Sequence, residues 1–232
     1  MFSDILGGIF KQKKAKVPHA GGKPSYVLSL PETNTFDCSE AAEVKGRITV
    51  TGKDNEIILA EGARFSGSIT VKGRNNRVYL GKNTWFRGDI LVKEGRGQTV
   101  HFGDNSTTVS VYILCQEGCD VRIGKWCMFS REIEIRTTDA HSVIDCESGK
   151  RVNLPASIEI GDHVWVGVGA IINKGARIAD DNIVGAMSFV SSAFEESRTV
   201  IAGVPARVLK TGVTWSRSRK NIFSPDEMRY WR

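Results

Sequence analysis

Residues 158–190 read IEIGDHVWVGVGAIINKGARIADDNIVGAMSFV and repeat every six residues. An aliphatic residue occupies every sixth position, and a mostly small or aliphatic residue stands two places before it. The sixth positions are Ile160, Val166, Ile172, Ile178, Val184 and Val190. Because residues two apart on a strand point the same way, each six predicts one very short strand with an inward pair, then a turn. Such a unit cannot bury its pair alone, so the repeat indicates a stacked parallel β-helix.

The same spacing continues towards the N-terminus in a degenerate form. Inward sets six residues apart predict further coils with larger side chains, and therefore a wider core. These sets are Leu59, Phe65 and Val71; Leu80, Phe86 and Val92; and Ile123, Phe129 and Ile135. The whole pattern predicts about seven coils, stacked roughly 4.8 Å apart as adjacent strands.

The repeat of residues 158–190, followed by IAGVPARVLK at 201–210, resembles the hexapeptide-repeat acyltransferases, most of all those that act on polysaccharides and sugars. The resemblance covers roughly residues 40–211. It implies an all-β fold, a left-handed parallel β-helix with three sixes per triangular coil, assembled as a homotrimer. It also implies that acetyl-CoA is the acyl donor.

The spacing divides the chain into three parts. We expect an N-terminal extension at 1–40, a β-helix catalytic domain at 41–192, and a C-terminal extension at 193–232. Both extensions are expected to be partly helical, with Ser224 as a helix cap and Pro225 as the first helical residue. After Ile135 the six-residue register stops, which predicts an inserted loop at 137–156. Long loops inserted into a rigid repeat commonly carry function.

His141 lies in that loop, within the pattern TDAHSV. Moving an acetyl group from a thioester to a hydroxyl needs a base near the hydroxyl, and imidazole titrates near neutrality. The loop and its flanks are similar to the family's catalytic histidine loop, which implies that His141 is the general base. Asp139 or Asp145 could orient its ring, and the sequence does not choose between them.

Trp165 stands between two inward valines, so the two-residue alternation points it outward. The resemblance implies a place in the acceptor and thioester cleft, while packing at a trimer interface remains open. The same resemblance assigns coenzyme A contacts to small residues along the coil edge and to a basic pair near the nucleotide phosphates. These positions are Val168, Ala186, Ser191, Ser192, Arg207 and Lys210. Ser192 stands where the family usually has lysine.

Composition limits the other possibilities. Five cysteines form no CxxC pair, which favours free thiols in a reducing, cytoplasmic setting. The net charge of +6 is not accompanied by a nucleic-acid-binding motif, so we expect no nucleic acid partner. No run of eighteen apolar residues occurs. Residues 1–16 form an amphipathic helical pattern followed by lysines, which predicts either a packed helix or a peripheral membrane contact.

No pair of histidines has the spacing that a zinc hydratase of this fold would need, and no metal is expected. The sequence therefore predicts a cytoplasmic, trimeric, acetyl-CoA-dependent O-acetyltransferase. Its acceptor would be a sugar hydroxyl of a cell-surface glycan. A backbone amide or the Trp165 indole would stabilise the oxyanion. Two alternatives remain: N-acetylation of an amino sugar nucleotide, and a non-catalytic β-helix that binds or scaffolds.

Overall fold

The structure is a computed structural model that describes residues 26–229. The amphipathic segment predicted at residues 1–16 lies outside the described residues. The described chain winds into a prism with three faces, and each coil adds one strand to each face in turn. Along this winding every strand pair but one is parallel.

The first face is a sheet of eight strands within the described residues, so the solenoid has eight coils where about seven are expected. Its strands are β2 (Thr35–Cys38), β4 (Glu56–Leu59), β6 (Arg77–Leu80), β8 (Thr99–Phe102), β11 (Val121–Ile123), β14 (Ile158–Ile160), β17 (Arg177–Ile178) and β20 (Ala193–Phe194).

The second and third faces share three long strands in the early coils and separate in the later ones. The shared strands are β3 (Glu43–Lys53), β5 (Arg64–Arg74) and β7 (Trp85–Lys93). The second face continues as β9 (Thr107–Thr108), β12 (Met128–Phe129), β15 (Trp165–Val166), β18 (Ile183–Val184) and β21 (Thr199–Gly203), and the antiparallel strand β22 (Ala206–Thr211) closes it. The third face comprises β1 (Tyr26–Ser29), β10 (Val111–Gln116), β13 (Ile133–Arg136), β16 (Ile171–Asn173) and β19 (Phe189–Val190).

Glycine makes the corner inside the three long strands. Gly46, Gly67 and Gly88 lie in register on successive coils, with φ of 128°, 144° and 137°. A Cβ atom on Gly67 would lie 1.9 Å from the carbonyl oxygen of Gly88. The chain therefore turns between the second and third faces without leaving the strand, because glycine alone fits both the φ and the space.

The core has the composition that the six-residue spacing predicts. All six sixth positions of residues 158–190 are buried, as are the small residues that precede them by two. The coils before β14 contain a row of buried phenylalanines, Phe65, Phe86, Phe102 and Phe129, with neighbouring ring centroids 5.3–6.1 Å apart. These apolar stacks hold the coils together, because each strand is too short to be stable alone.

The solenoid extends beyond the predicted range of 41–192 at both ends. β1 and β2 already pair in parallel with β3 and β4, so the first coil begins by Tyr26. Pro31, which suggests a linker in the sequence, lies in a corner turn where its carbonyl accepts the Asn34 N–H at 3.0 Å. At the other end β20 and β21 continue the coil to Gly203. The boundaries differ because these end coils lack the strict six-residue spacing.

A short C-terminal helix forms where the sequence predicts one. It is α1 (Pro225–Arg229), and Ser224 precedes it. The Glu227 N–H donates to Ser224 Oγ at 3.3 Å, while the Ser224 N–H donates to the Glu227 carboxylate at 3.0 Å. This reciprocal pair is a capping box, and it confirms the predicted start of the helix.

Candidate active site

The chain leaves the solenoid between β13 and β14, at the corner that joins the third and first faces. The excursion closes on itself: Ile144 and Arg151 form an antiparallel bridge, and the Val152 N–H donates to Val143 O at 2.9 Å. His141 lies on this loop and is exposed to solvent. The predicted insertion at 137–156 therefore corresponds to a real protrusion, here called the histidine loop, between β13 and β14.

Glu117 anchors both ends of the histidine loop to the coil below. Its carboxylate accepts hydrogen bonds from Thr138 Oγ1 at 2.5 Å and from Arg151 Nη1 and Nη2 at 2.5 and 3.2 Å. Thr138 begins the loop and is fully buried, while Arg151 lies on its returning side. The Arg151 guanidinium, and after it the Thr138 hydroxyl, hold the pKa of Glu117 below its ordinary value.

A second anchor lies beside His141. The Asp139 carboxylate pairs with the Lys174 ammonium and accepts from Asn153 Nδ2 at 2.8 Å. The same amide group donates to the main-chain oxygen of His141 at 2.8 Å. The hydrogen bond from Lys174 is the main reason that the pKa of Asp139 is lowered. Lys174 follows β16 in the next coil, so this contact ties the loop to the coil above.

These contacts bear on the two carboxylates proposed to orient the His141 ring. Asp139 lies next to His141, but its hydrogen bonds in the described structure go to Lys174 and Asn153. Asp145 accepts from the Ser148 N–H at 2.8 Å and from Ser148 Oγ at 2.6 Å, so it shapes its own turn. Asp139 therefore positions the main chain of the histidine loop, and its orienting role towards the imidazole remains a prediction.

Trp165 points outward from the second face, as the alternation predicts, and its residue exposure is 38%. The C-terminal segment supplies a second indole beside it. The Trp215 ring centroid lies 6.1 Å from that of Trp165. The Trp215 Nε1–H donates to the His163 carbonyl at 2.8 Å, and its ring stacks on the His163 imidazole at 4.2 Å. The result is a pair of neighbouring indoles, here called the Trp165 surface, in which Trp165 is exposed and Trp215 is buried beneath it.

His163 serves to hold this segment in place. It is buried, and its Nδ1 lies 2.8 Å from Asp181 Oδ1, which also accepts from Thr214 Oγ1 at 2.6 Å. Burial raises the pKa of Asp181, but the hydrogen bonds from His163, Thr214 and Arg198 outweigh it and leave that pKa lowered. His163 therefore has a structural environment, in contrast to the exposed His141.

The predicted coenzyme A residues fall into two groups. Val168 and Ala186 occupy successive coils at the corner between the second and third faces, where the Met187 N–H donates to Val168 O at 2.8 Å. On successive strands of the second face, Trp165 pairs with Ile183, and Ile183 pairs with Val200. Lys210 on β22 pairs with Val200 and therefore continues this column of register partners. Arg207 lies on the same terminal strand and is exposed. These residues form an edge beside the Trp165 surface.

Ser191 and Ser192 belong to the other group. They are exposed and follow β19 at the corner between the third and first faces, where the histidine loop leaves. Extending the register of β16 and β19 by two residues sets Ser192 one coil above Lys174. In a three-faced prism this corner lies opposite the second face. Within residues 26–229 of one chain, no hydrogen bond or ring contact joins His141 to Trp165.

Sequence reasoning missed the residues that hold the site together. Glu117, Arg151, Lys174 and Trp215 form no motif, because their contacts join positions 34 to 52 residues apart. The one sequence feature that could have indicated these contacts is a pair of opposite charges, such as Glu117 and Arg151, near a predicted loop insertion. The five cysteines are free thiols: Cys115 and Cys127 are buried, Cys38 and Cys119 are half-buried, and Cys146 is exposed on the histidine loop.

Two negative findings concern the described residues. Within 26–229, no cluster of three or more His, Cys, Asp or Glu side chains has the arrangement to hold a metal ion. The described part of the chain also has no helix with the length and apolarity that crossing a membrane requires.

The chain is similar to known acetyltransferases in sequence. It is 30% identical over 134 residues to a polysialic acid O-acetyltransferase of Escherichia coli O1:K1, covering 58% of this chain and 43% of that protein. It is also 30% identical over 105 residues to a polysialic acid O-acetyltransferase of Neisseria meningitidis, covering 45% and 49%. The chain thus spans less than half the length of these two curated relatives. No protein-family model matches it.

The fold comparison reaches further along the chain. The crystal structure of the polySia specific acetyltransferase NeuO superposes with a TM-score of 0.79 at 28% identity, covering 89% of this chain and 96% of that one. The predicted fold class, a left-handed parallel β-helix, is confirmed. The predicted resemblance is confirmed as well: in sequence and in fold the chain resembles polysaccharide O-acetyltransferases of the hexapeptide-repeat type.

Proposed function

We propose, from this relationship and from the geometry of the histidine loop, that the protein is an acetyl-CoA-dependent O-acetyltransferase. Its acceptor would be a hydroxyl of a cell-surface polysaccharide. The observation that carries the proposal is an exposed histidine on a loop fixed at both ends, by Glu117 and by Lys174. Pre-set geometry of this kind is what general-base catalysis requires.

In the proposed reaction His141 takes the proton of the acceptor hydroxyl as its oxygen attacks the thioester carbonyl. The new C–O bond forms, the C–S bond breaks, and the imidazolium returns the proton to the leaving thiolate. The Trp165 indole N–H or a backbone amide would bind the oxyanion of the tetrahedral intermediate. Val168, Ala186, Ser191, Ser192, Arg207 and Lys210 are the proposed contacts of the donor, with Arg207 and Lys210 near its phosphates.

We further propose that the active unit is a homotrimer whose sites lie between subunits. The loop that carries His141 leaves at the corner opposite the face that carries Trp165. One chain alone therefore offers two half-sites pointing in different directions, and a cyclic trimer brings the loop of one subunit to the Trp165 face of the next. Free cysteines are consistent with a cytoplasmic location for this assembly.

Mixing two inactive variants tests the shared site. We expect His141→Ala and Trp165→Ala each to be inactive as pure proteins. Co-expressed in equal amounts, they form mixed trimers in which one interface has both native side chains. The mixture then regains about a quarter of the wild-type rate, since a cyclic trimer of two kinds of subunit has one such interface.

Failure to regain activity in demonstrated mixed trimers would contradict a shared site. The acceptor class is tested separately, by acetyl transfer to sugar nucleotides and to oligosaccharides with mass-spectrometric detection. Transfer to an amine of a sugar nucleotide and to no hydroxyl would replace O-acetylation by N-acetylation. No transfer and no acetyl-CoA binding would favour a scaffold.

A further inference from the structure

A second exposed tryptophan lies on the same face as Trp165, several coils nearer the N-terminus. Trp85 is 44% exposed, and it stands in register with Thr107, Met128 and Trp165 on successive coils. Three strand spacings separate the two indoles along this column, about 14 Å at the usual distance between strands. A ligand that follows the second face from Trp165 therefore reaches Trp85.

Cations surround Trp85. The guanidinium carbon of Arg87 lies 4.8 Å from the Trp85 ring centroid, and that of Arg64 lies 6.0 Å from it. Lys45 belongs to the same row as Arg87, two coils earlier. Glu43 is the single nearby carboxylate among the residues lining this surface, and it pairs with Arg64 at 3.4 Å. Three positive charges therefore face one negative charge.

The ion pair between Glu43 and Arg64 leaves the charges of Lys45 and Arg87 available to a ligand. Among residues 26–229, neither Lys45 nor Arg87 takes part in an ion pair. The hydrogen bonds of Arg87 in that range come from its main chain, to and from Thr108 Oγ1 at 2.7 Å. Two shallow cavities of about 300 and 320 Å³ flank the Trp85 ring. An aromatic ring beside unpaired cations suits a sugar ring that bears a carboxylate.

A further cation lies between the two indoles. Arg217, on the C-terminal segment, donates to Thr107 Oγ1 at 2.9 Å and to Cys127 O at 3.0 Å. It thereby lies beside the column that joins Trp85 to Trp165. The positive charge is thus distributed along the column, as a polymer with repeated negative charges would require.

We propose that Lys45, Arg64, Trp85 and Arg87, here called the Trp85 cluster, form a distal subsite for carboxylate-bearing sugar residues of a polymeric acceptor. The identity of this ligand as the acceptor rests on the proposed function, whereas binding of the polymer does not. Because the cluster lies three coils from Trp165, an acceptor must be several sugar residues long to occupy both. The cluster selects polymer over monomer and leaves the chemistry at His141 unchanged.

Equilibrium binding of polysialic acid, fractionated by length and without acetyl-CoA, tests the subsite. Wild-type protein is expected to bind long chains more tightly than the monomer or dimer, with an affinity that falls as salt rises. Trp85→Ala and Arg87→Gln are each expected to weaken long-chain binding by about tenfold. Arg177→Gln removes an exposed cation from the first face and is the matched control, with no change expected.

Several results would overturn the proposal. If the wild-type protein does not bind long polysialic acid, or binds neutral dextran equally well, the subsite is wrong. Long-chain binding by Trp85→Ala and Arg87→Gln at the wild-type level removes it too. Dissociation of either variant in sedimentation would assign the cluster to subunit packing. If binding depends on Trp85 but no acetyl transfer occurs, the proposed function fails and the subsite stands.

Discussion

Replacing Glu117 should lower the rate of acetyl transfer, although Glu117 lies on the solenoid and has no proposed contact with substrate. Its carboxylate joins the start and the return of the histidine loop through Thr138 and Arg151. Without it, the loop keeps its own hairpin contacts but loses one of its two anchors on the solenoid. His141 then spends less time in the reactive position, and this is a positioning effect.

The magnitude follows from the buried partner. Glu117→Ala leaves the fully buried hydroxyl of Thr138 without its acceptor. An unsatisfied buried hydroxyl costs about 1–3 kcal/mol, which corresponds to about a 5- to 150-fold change in the population of the anchored loop. Glu117→Gln keeps an oxygen that can accept from Thr138, so its effect is expected to be smaller. The order Ala, then Gln, then wild type is part of the prediction.

Steady-state kinetics with Glu94→Ala as the control make the test specific. Glu94 lies one coil below Glu117 at the same corner, and both have positive φ, but the Glu94 carboxylate accepts from Gln116 Nε2 and does not contact the loop. We expect Glu117→Ala to lower kcat and leave the KM for acetyl-CoA nearly unchanged. Equal kcat values for Glu117→Ala and Glu94→Ala, with both proteins folded, would refute the anchoring role.

Three further predictions concern the solenoid and the loop. Phe102→Ala removes a fully buried ring from the aromatic row and is expected to cost about 3–5 kcal/mol in the free energy of unfolding, measured by denaturant titration; a loss below about 1 kcal/mol would contradict tight packing there. Gly67→Ala is expected to prevent folding, measured by expression and circular dichroism, because its Cβ would lie 1.9 Å from a carbonyl oxygen. Gly97 has open space around it, so the control Gly97→Asn is expected to fold; a folded Gly67→Ala protein would contradict the corner geometry. The lowered pKa of Asp139 means that its contact with Lys174 contributes fully above the ordinary value of 3.8 and is lost as pH falls through the lower folded-state pKa. Amide hydrogen exchange of the loop, corrected for the intrinsic rate at each pH, should therefore accelerate only below pH 3.8; acceleration already at about pH 5 would contradict this.

The repeat itself could be predicted from sequence because its signal is local. A strict six-residue period in residues 158–190 reports the inward pair of each strand directly, and every predicted inward position there is buried. The first coil escaped prediction because Tyr26–Ser29 and Thr35–Cys38 are recognised only by the strands on which they stack. Gly46 and Gly67 form a corner only because they lie in register on neighbouring coils, and the sequence of one coil does not reveal that register.

The candidate site also contains residues that local sequence patterns predict and residues that only the fold brings together. His141 was found because it lies in the one long break of the repeat, and Trp165 because alternation alone points it outward. Trp215 lies in the predicted C-terminal extension, and only the fold brings it to stack on His163, 52 residues away in sequence. Lys174 was overlooked because a lysine in a turn is usually solvated, and only the fold brings it to Asp139.

The rate of His141→Ala tests the central claim most directly. We expect kcat to fall by about 10²–10⁴-fold, the range that general-base catalysis contributes, with little change in acetyl-CoA affinity. His101→Gln, on the first face, is the control and should leave the rate intact. A folded His141→Ala protein that keeps more than about a tenth of the wild-type rate would contradict general-base catalysis by His141.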